Sequence, residues 1–146
     1  MRPNDINLNI GISSKEDEKE LYFIDELNTQ NTLDKNQLNF LKDHHNLKEN
    51  EIIVKKIKTK KLNTVLDDYN LDKIDFCNID IEGHELEVIK TIDFDKIKIK
   101  YMCIEMIEHN HLSIEYSKKI RDILINNKFD MIKKFGFNYI YKNRKF

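Results

Sequence analysis

The chain of 146 residues contains only 3 glycines and 1 proline. The glycines, Gly11, Gly83 and Gly136, lie far apart, so the sequence has no glycine-rich turn. We draw no function from the scarcity of these two residue types. The length corresponds to one domain, and a domain of this size can bury a hydrophobic core.

Cysteine is also scarce, with only Cys77 and Cys103. Each lies in an apolar stretch, IDFC or YMCIE, where a thiol packs like a small hydrophobic side chain. Two cysteines in these positions exclude a disulfide framework and favour a reducing compartment. The sequence therefore predicts two buried free thiols.

Long apolar runs and an excess of one charge are absent as well. No stretch has the length of a membrane span, and the first residues, MRPNDINLN, lack the apolar region of a signal peptide. The net charge of −1 gives no reason to expect binding to nucleic acid or to an anionic membrane. The basic cluster at 55–61 favours a solvated connection between a strand and a helix over a polyanion site. We expect a cytoplasmic protein.

The spacing of apolar residues predicts the secondary structure. Strands at 6–13 and 20–24 are expected to form a hairpin, and DKNQLNFLKDHH predicts a short helix in the polar 25–50 segment. The remaining elements are strands at 51–58, 74–81 and 97–105, helices at 62–69, 84–92 and after Ser113, and a closing hairpin of 129–135 with 137–142.

Asn63 and Ser113 are the predicted helix N-caps. The 74–81 strand is expected to be buried on both faces. Strands that alternate with helices favour an α/β fold with a mostly parallel sheet, to which the last hairpin adds an antiparallel edge.

Three carboxylates follow two neighbouring predicted strands. Asp80 and Glu82 come at the end of the 74–81 strand, and Glu105 ends the 97–105 strand. Ligands bind outside the carboxyl ends of strands in open α/β sheets, and clustered carboxylates need a cation, a metal or hydrogen-bond donors. Gly83 allows a sharp turn and close approach of a ligand. Alternatively, Asp80 caps the following helix, Glu82 occupies its first turn and Glu105 is an exposed strand end.

Other polar residues nearby have simpler interpretations. Glu85 and Glu87 are expected to be solvated helix residues. His84, His109 and His111 lack the helical spacing of a metalloprotease, and we predict no metal site. A hydrolase that uses a metal on the three carboxylates and His109 is the least favoured alternative. His109 or His111 could also act as a general base, because histidine titrates near neutral pH.

The stretch LNTVLDDYNLDKIDFCNIDIEGHELEVIKTIDF, followed by KYMCIEM, resembles the FkbM family of methyltransferases. The family shows a similar helix, then IDFLKIDVEGHELEVL and a strand that ends in Ile-Glu; its usual lysine is Asn78 here. INLNIGIS with ELYF resembles the family's earlier strand pair, and FDMIKKFGFNYIYKN resembles its closing hairpin. The resemblance covers nearly the whole chain.

The resemblance implies a seven-stranded, Rossmann-like class I methyltransferase fold, with residues 1–146 as one truncated domain. It implies transfer of a methyl group from S-adenosylmethionine to oxygen on a sugar or small-molecule acceptor. Asp80, Glu82 and Gly83 would contact the cofactor. The expected catalytic residues are Asp80, Glu82, Glu105 and His109.

One family element is missing from this sequence. FkbM domains open with a strand and a glycine-rich turn of the type D-x-G-A-N-x-G, followed by an acidic residue that binds the ribose, and nothing here matches either. We therefore expect the C-terminal two-thirds of the domain. The alternative to an enzyme is a non-catalytic remnant, or an accessory half-domain whose partner chain completes the sheet.

Overall fold

The computed structural model describes residues 5–24, 31–108 and 110–146. Within these ranges the chain forms two sheets and four α-helices, which confirms the α/β class. The strands are β1 (Gly11–Ile12), β2 (Glu18–Phe23), β3 (Ile53–Lys60), β4 (Lys73–Ile79), β5 (Lys98–Glu105), β6 (Phe129–Phe135) and β7 (Asn138–Asn143). The helices are α1 (Lys35–His45), α2 (Leu62–Asp68), α3 (Glu85–Ile89) and α4 (His111–Asn126), and Glu49–Glu51 forms a short 3₁₀ turn.

The larger sheet has the strand order β4-β5-β7-β6. β4 and β5 are parallel, whereas β7 runs antiparallel to both β5 and β6. The closing hairpin is therefore confirmed. A mostly parallel sheet is wrong, because β7 turns back beside β5 and β2 likewise pairs antiparallel with β3.

The smaller sheet has the order β1-β3-β2, so the predicted hairpin of 6–13 with 20–24 is wrong. β3 lies between the two strands, parallel to β1 and antiparallel to β2. The connection after β1 wraps around the end of β3 instead of making a tight turn. Thr59 holds it there, because its hydroxyl oxygen lies within hydrogen-bond distance of Lys15 O, at 2.9 Å, and of Asp17 Oδ1, at 2.7 Å.

Of the four described helices, α1 and α4 begin at side-chain caps, and neither cap is a residue predicted from the sequence. Asp34 caps α1 by accepting from the backbone N–H groups of Asn36 and Gln37. Asn110 caps α4, and Ser113 is the third residue of that capping box instead of the cap itself. Asn63 is not a cap either, since its side chain bonds Thr91 O and Asp93 N in the segment after α3.

The hydrophobic core lies against the larger sheet. Fully buried members come from α3, the segment before β5, β5, α4 and the start of β6: Ile89, Ile97, Ile99, Met102, Ile104, Ile120, Leu124 and Phe129. β4 is not buried on both faces as predicted, because Asp75, Phe76 and Asn78 are exposed along it; it is also the edge of this sheet and pairs with β5 alone among the described strands. Phe76 on β4 is consequently 57% exposed.

The two cysteines are free, as predicted. Cys103 is buried and Cys77 is partly buried, and burial raises the pKa of the Cys77 thiol to about 11. The lysines of the basic cluster lie mainly within β3 itself, and Lys55, Lys56 and Lys58 are exposed there. Across the described ranges, no helix is both long enough and apolar enough to span a membrane.

Candidate active site

A strained turn connects β4 to α3. Glu82 has φ +53° and Gly83 has φ +92°, so two consecutive residues adopt the left-handed conformation. Glycine tolerates that conformation, but for glutamate it is sterically unfavourable, and the surrounding contacts must offset this free energy. A Cβ atom on Gly83 would also lie 3.1 Å from Gln37 Cβ, because the turn packs closely against α1. The conformation of the turn is therefore constrained by its packing against α1.

Glu85 holds this turn from inside. Its Oε1 atom accepts from Ile81 N and from Gly83 N, both at 3.1 Å. The prediction that Glu85 is solvated is wrong, since the residue is only 3% exposed. Burial raises the pKa of the Glu85 carboxyl, although the backbone bonds that it accepts act in the opposite direction.

Two side chains from other elements hold the same turn from outside. The Tyr116 hydroxyl, on α4, donates to Gly83 O at 2.8 Å and accepts from Leu86 N at 2.9 Å. The Thr32 hydroxyl, just before α1, donates to Glu82 O at 2.7 Å. The sequence suggested neither contact, because residues distant in the chain make them and no local pattern reports such pairs.

The three predicted carboxylates come together at the ends of β4 and β5. Oxygen atoms of Asp80, Glu82 and Glu105 all lie within 4.8 Å of one another. The alternative roles for Asp80 and Glu82 are not observed, because His84 is the N-cap position of α3 and the helix begins at Glu85. Asp80 is exposed, whereas Glu82 and Glu105 are partly buried. We call these three residues the carboxylate cluster.

The charges in the carboxylate cluster repel one another. Burial, followed by the charges of Asp80 and Glu82, raises the pKa of Glu105 to about 7. Burial and the Asp80 charge also raise the pKa of Glu82. None of the ion pairs observed between described residues involves these three. The cluster is therefore an environment that favours a proton or a cation.

A cavity of about 480 Å³ opens beside the carboxylate cluster. The cavity lies between α1, the turn at 83–85, the end of β5 and the start of α4. Its volume is typical of sites that bind small molecules. Glu105 lines the cavity, but Asp80 and Glu82 do not. Glu105 is thus shared between the cluster and the cavity.

The histidines stand apart from the carboxylate cluster. His84 is buried, its Nε2 atom lies 3.0 Å from Ser13 Oγ, and burial lowers its pKa. His111 is exposed at the start of α4, and His109 lies outside the described residues. Among described residues, the group that could hold a metal therefore contains carboxylates alone, and carboxylates are often this close without an ion.

A family model for the methyltransferase FkbM domain matches residues 1–139 of this chain. The matched range includes the turn between β4 and α3, the carboxylate cluster and the walls of the cavity. Comparison with curated proteins and with solved structures gives no match.

Proposed function

The chain belongs to the FkbM methyltransferase family, and we propose that it acts in methyl transfer from S-adenosylmethionine to a hydroxyl oxygen of a sugar or small molecule. The proposal includes a Rossmann-like class I fold, of which β4 to β7 would form one half. The free thiols Cys77 and Cys103 are consistent with a reducing, cytoplasmic compartment. The observation that carries the proposal is the position of Glu105 between the carboxylate cluster and the cavity.

The donor set at the end of β4 fits the cationic part of S-adenosylmethionine, which carries a sulfonium and an ammonium group. Asp80 and Glu82 would hold these charges. Burial and neighbouring carboxylate charges raise the pKa values of Glu82 and Glu105, and a nearby cation would stabilise both carboxylates. Gly83, which belongs to the same turn and lines the cavity, would lie beside the cofactor. When bound, the cofactor supplies an electrophilic methyl group.

Glu105 is the proposed general base. A carboxylate with a pKa of about 7 can accept a proton at neutral pH more readily than an ordinary glutamate. In the cavity it would take the hydroxyl proton of the acceptor as the acceptor oxygen bonds to the methyl carbon. Asp80 would orient the reacting groups, and Glu82 would shape the site. His109 is the second candidate for the base.

Calorimetric titration of S-adenosylmethionine into the folded chain tests the proposal. We expect binding at micromolar to millimolar cofactor, and we expect Asp80→Asn to weaken it by about tenfold because one acidic contact to a cation is removed. Asp75→Asn is the matched control, since Asp75 is an exposed aspartate on β4, the strand that Asp80 follows. Equal binding by wild type and Asp80→Asn would remove Asp80 from the cofactor site.

A methyl-transfer assay separates binding from catalysis. Labelled S-adenosylmethionine and a screen of hydroxyl-bearing acceptors should give labelled product with wild type, and none above background with Asp80→Asn. Circular dichroism of the variant checks that its fold is retained. Full transfer by Asp80→Asn would exclude the orienting role.

The second candidate function is an accessory half-domain that pairs with another chain, or a non-catalytic remnant. The exposed edge of β4, with Phe76 in the middle of the strand, favours the pairing role, because an unpaired strand edge offers backbone groups to a partner strand. A folded chain that binds no S-adenosylmethionine at millimolar concentration would support this candidate over the first.

A further inference from the structure

We propose that the cavity beside Glu105 binds the methyl acceptor and selects an uncharged or cationic hydroxyl-bearing molecule with an apolar face, against an anionic one. This inference rests on the proposed function and names its substrate class. It starts from the position of the cavity, which shares Glu105 with the carboxylate cluster. A hydroxyl held in this cavity would be next to the proposed base.

The walls of the cavity have two kinds of surface. Phe40, Met106, Ile107 and Leu112 form apolar surface, and Asn36, Gln37 and Asn110 bring polar groups to it. Apolar walls with a few polar groups are typical of sites that bind small organic molecules. A ring with one apolar face and several hydroxyl groups satisfies both surfaces, since its carbon face packs on the wall and its hydroxyls reach the polar groups.

The charges that line the cavity are of one sign. Its described lining contains Asp34, Glu85 and Glu105 but no lysine or arginine. Asp34 is occupied in capping α1, and Glu85 accepts backbone N–H groups within the turn. Glu105 is therefore the carboxylate left to meet a ligand, and at or above neutral pH its charge disfavours an anionic group nearby.

Two helix N-termini also contribute to the lining, and such termini attract anions. At α1 this effect is opposed by Asp34, whose carboxylate already accepts the N–H groups of Asn36 and Gln37. At α4 the N–H of Ser113 is taken by the Asn110 side chain. A helix end carries about half an elementary charge, less than one full carboxylate, so the acidic groups determine the preference.

Methionine methyl groups provide a direct readout of binding. Met106 lines the cavity, Met102 is in the core, and Met131 is exposed on β6. We would record the spectra of methyl-¹³C-methionine-labelled chain during titration with phenyl β-glucoside and, separately, phenyl β-glucuronide. These probes have the same ring and apolar group, and they differ in a neutral hydroxymethyl against a carboxylate.

The expected result is a shift of the Met106 resonance, without a shift of Met131, and binding of the glucoside about tenfold tighter than the glucuronide at pH 8. In Glu105→Gln the two probes should differ by less than about threefold, because the repelling charge is gone. Stronger binding of the glucuronide to wild type, or a shift of Met131 without Met106, would overturn the inference. So would the lack of any Met106 shift at saturating or solubility-limited probe concentrations.

A charge introduced at the mouth of the cavity gives a second variant that does not involve Glu105. Leu112 is 80% exposed, so Leu112→Lys is expected to fold normally and to tighten glucuronide binding several-fold relative to glucoside. Ile125→Lys, at the far end of the same helix, is the matched control and should leave both affinities unchanged. Equal effects of the two lysines would contradict a site at this cavity.

These measurements require neither cofactor nor turnover. Selective binding at Met106 by a chain that shows no methyl transfer would retain the cavity as a binding site and reject the proposed function. Methyl transfer by a chain in which no probe shifts Met106 would retain the proposed function and reject this acceptor site.

Discussion

Glu105 shows how a single position combines structure and chemistry. It ends a buried strand, and its carboxylate faces Asp80 and Glu82 within 4.8 Å. The cost of burying its charge beside two others raises its pKa to about 7. A group whose pKa is raised on folding contributes stability that is present below its ordinary pKa and is lost as the pH rises through the folded value.

Glu105→Gln should therefore stabilise the protein at alkaline pH. Glutamine resembles the protonated carboxyl and keeps its volume without the charge. The free energy of unfolding should exceed that of wild type by about 1–2 kcal/mol above pH 7, and the difference should vanish as the pH falls towards about 4.5. Urea denaturation across this range measures the difference. Glu18→Gln, on the exposed face of β2, should show no such trend, and a difference that is constant with pH would contradict the predicted pKa effect.

Gly83→Ala tests the strained turn at the same scale. Left-handed backbone costs a non-glycine residue about 1–2 kcal/mol, and the new Cβ would lie 3.1 Å from Gln37 Cβ. Gly136→Ala is the matched control, because Gly136 has φ +59° and its added Cβ would have no neighbour within 4 Å. Chemical denaturation should show a larger loss of stability for Gly83→Ala. Equal losses would mean that the contact with α1 does not constrain the turn.

The residues of the motif could be identified from the sequence, because Asp80, Glu82 and Gly83 lie next to one another after a recognisable strand. The burial of Glu85 could not be identified. Its helical position suggested a solvated side chain, but α3 is only five residues long and the carboxylate folds back onto the N–H groups before it. Local periodicity reports which face a residue occupies and does not report such a return.

Among the secondary-structure elements, α4 supports the turn between β4 and α3. Tyr116 contributes both a donor and an acceptor through one hydroxyl, to Gly83 O and Leu86 N. Burial is the main cause that raises the pKa of Tyr116, so the hydroxyl stays protonated and can keep donating. The Tyr116 side chain thereby connects the turn between β4 and α3 to α4.

Tyr116→Phe should loosen this turn while retaining the ring. Two backbone groups in a partly buried region lose their partner, which costs about 1–3 kcal/mol. Hydrogen exchange should show faster exchange at Leu86 and Gly83, with β5 and β7 unaffected. Tyr69→Phe, at an exposed tyrosine at the end of α2, should leave stability within about 0.5 kcal/mol of wild type. Unchanged exchange at Leu86 would show that Glu85 and Thr32 hold the turn without Tyr116.

The sequence predicted whether most elements are helices or strands, but it predicted much less well which strands pair with one another. Short runs rich in apolar residues identified β2, β3, β5, β6 and β7. The hairpin of the first two strands was wrong because neighbours in sequence are only the most frequent partners, and β3 inserts between them from 30 residues further along. The exposure of Phe76 on β4 was likewise hidden, since an apolar run does not reveal whether another element covers each face of the strand.

At the scale of the whole molecule, side-chain contacts join the two sheets. Among the described residues, those between β1 and α1 make three side-chain hydrogen bonds to the region of α3. These are Ser13 Oγ to His84 Nε2 at 3.0 Å, Ser14 Oγ to Glu87 Oε2 at 3.4 Å and Thr32 Oγ1 to Glu82 O at 2.7 Å. The first is fully buried, because Ser13 is 0% and His84 5% exposed. The turn between β4 and α3 is thus held by contacts from the side of the smaller sheet as well as by α4.

The Ser13–His84 contact predicts how stability responds to acid. Burial lowers the pKa of His84, and Lys19 lowers it further, whereas the charges of Glu87 and Asp34 act in the opposite direction. A histidine whose pKa is depressed on folding contributes stability that is present above about pH 6.5 and is lost as the pH falls through the folded value. Acid should therefore weaken the connection between the sheets.

His84→Gln should remove this acid sensitivity, although glutamine is expected to lower stability at neutral pH. The contribution of Glu105 to stability increases as the pH falls over the same range. The informative quantity is therefore the difference in the free energy of unfolding between variant and wild type, in which the Glu105 contribution cancels. That difference should shrink as the pH falls below about 6.5. His111→Gln, at an exposed histidine, is the control and should give a difference that is constant with pH.

Ser13→Ala should lower the free energy of unfolding by about 1–3 kcal/mol at neutral pH, since it leaves a buried ring nitrogen of His84 without its partner. If Ser13→Ala leaves the free energy of unfolding unchanged, and His84→Gln shows no pH trend, the two sheets are held together by packing alone.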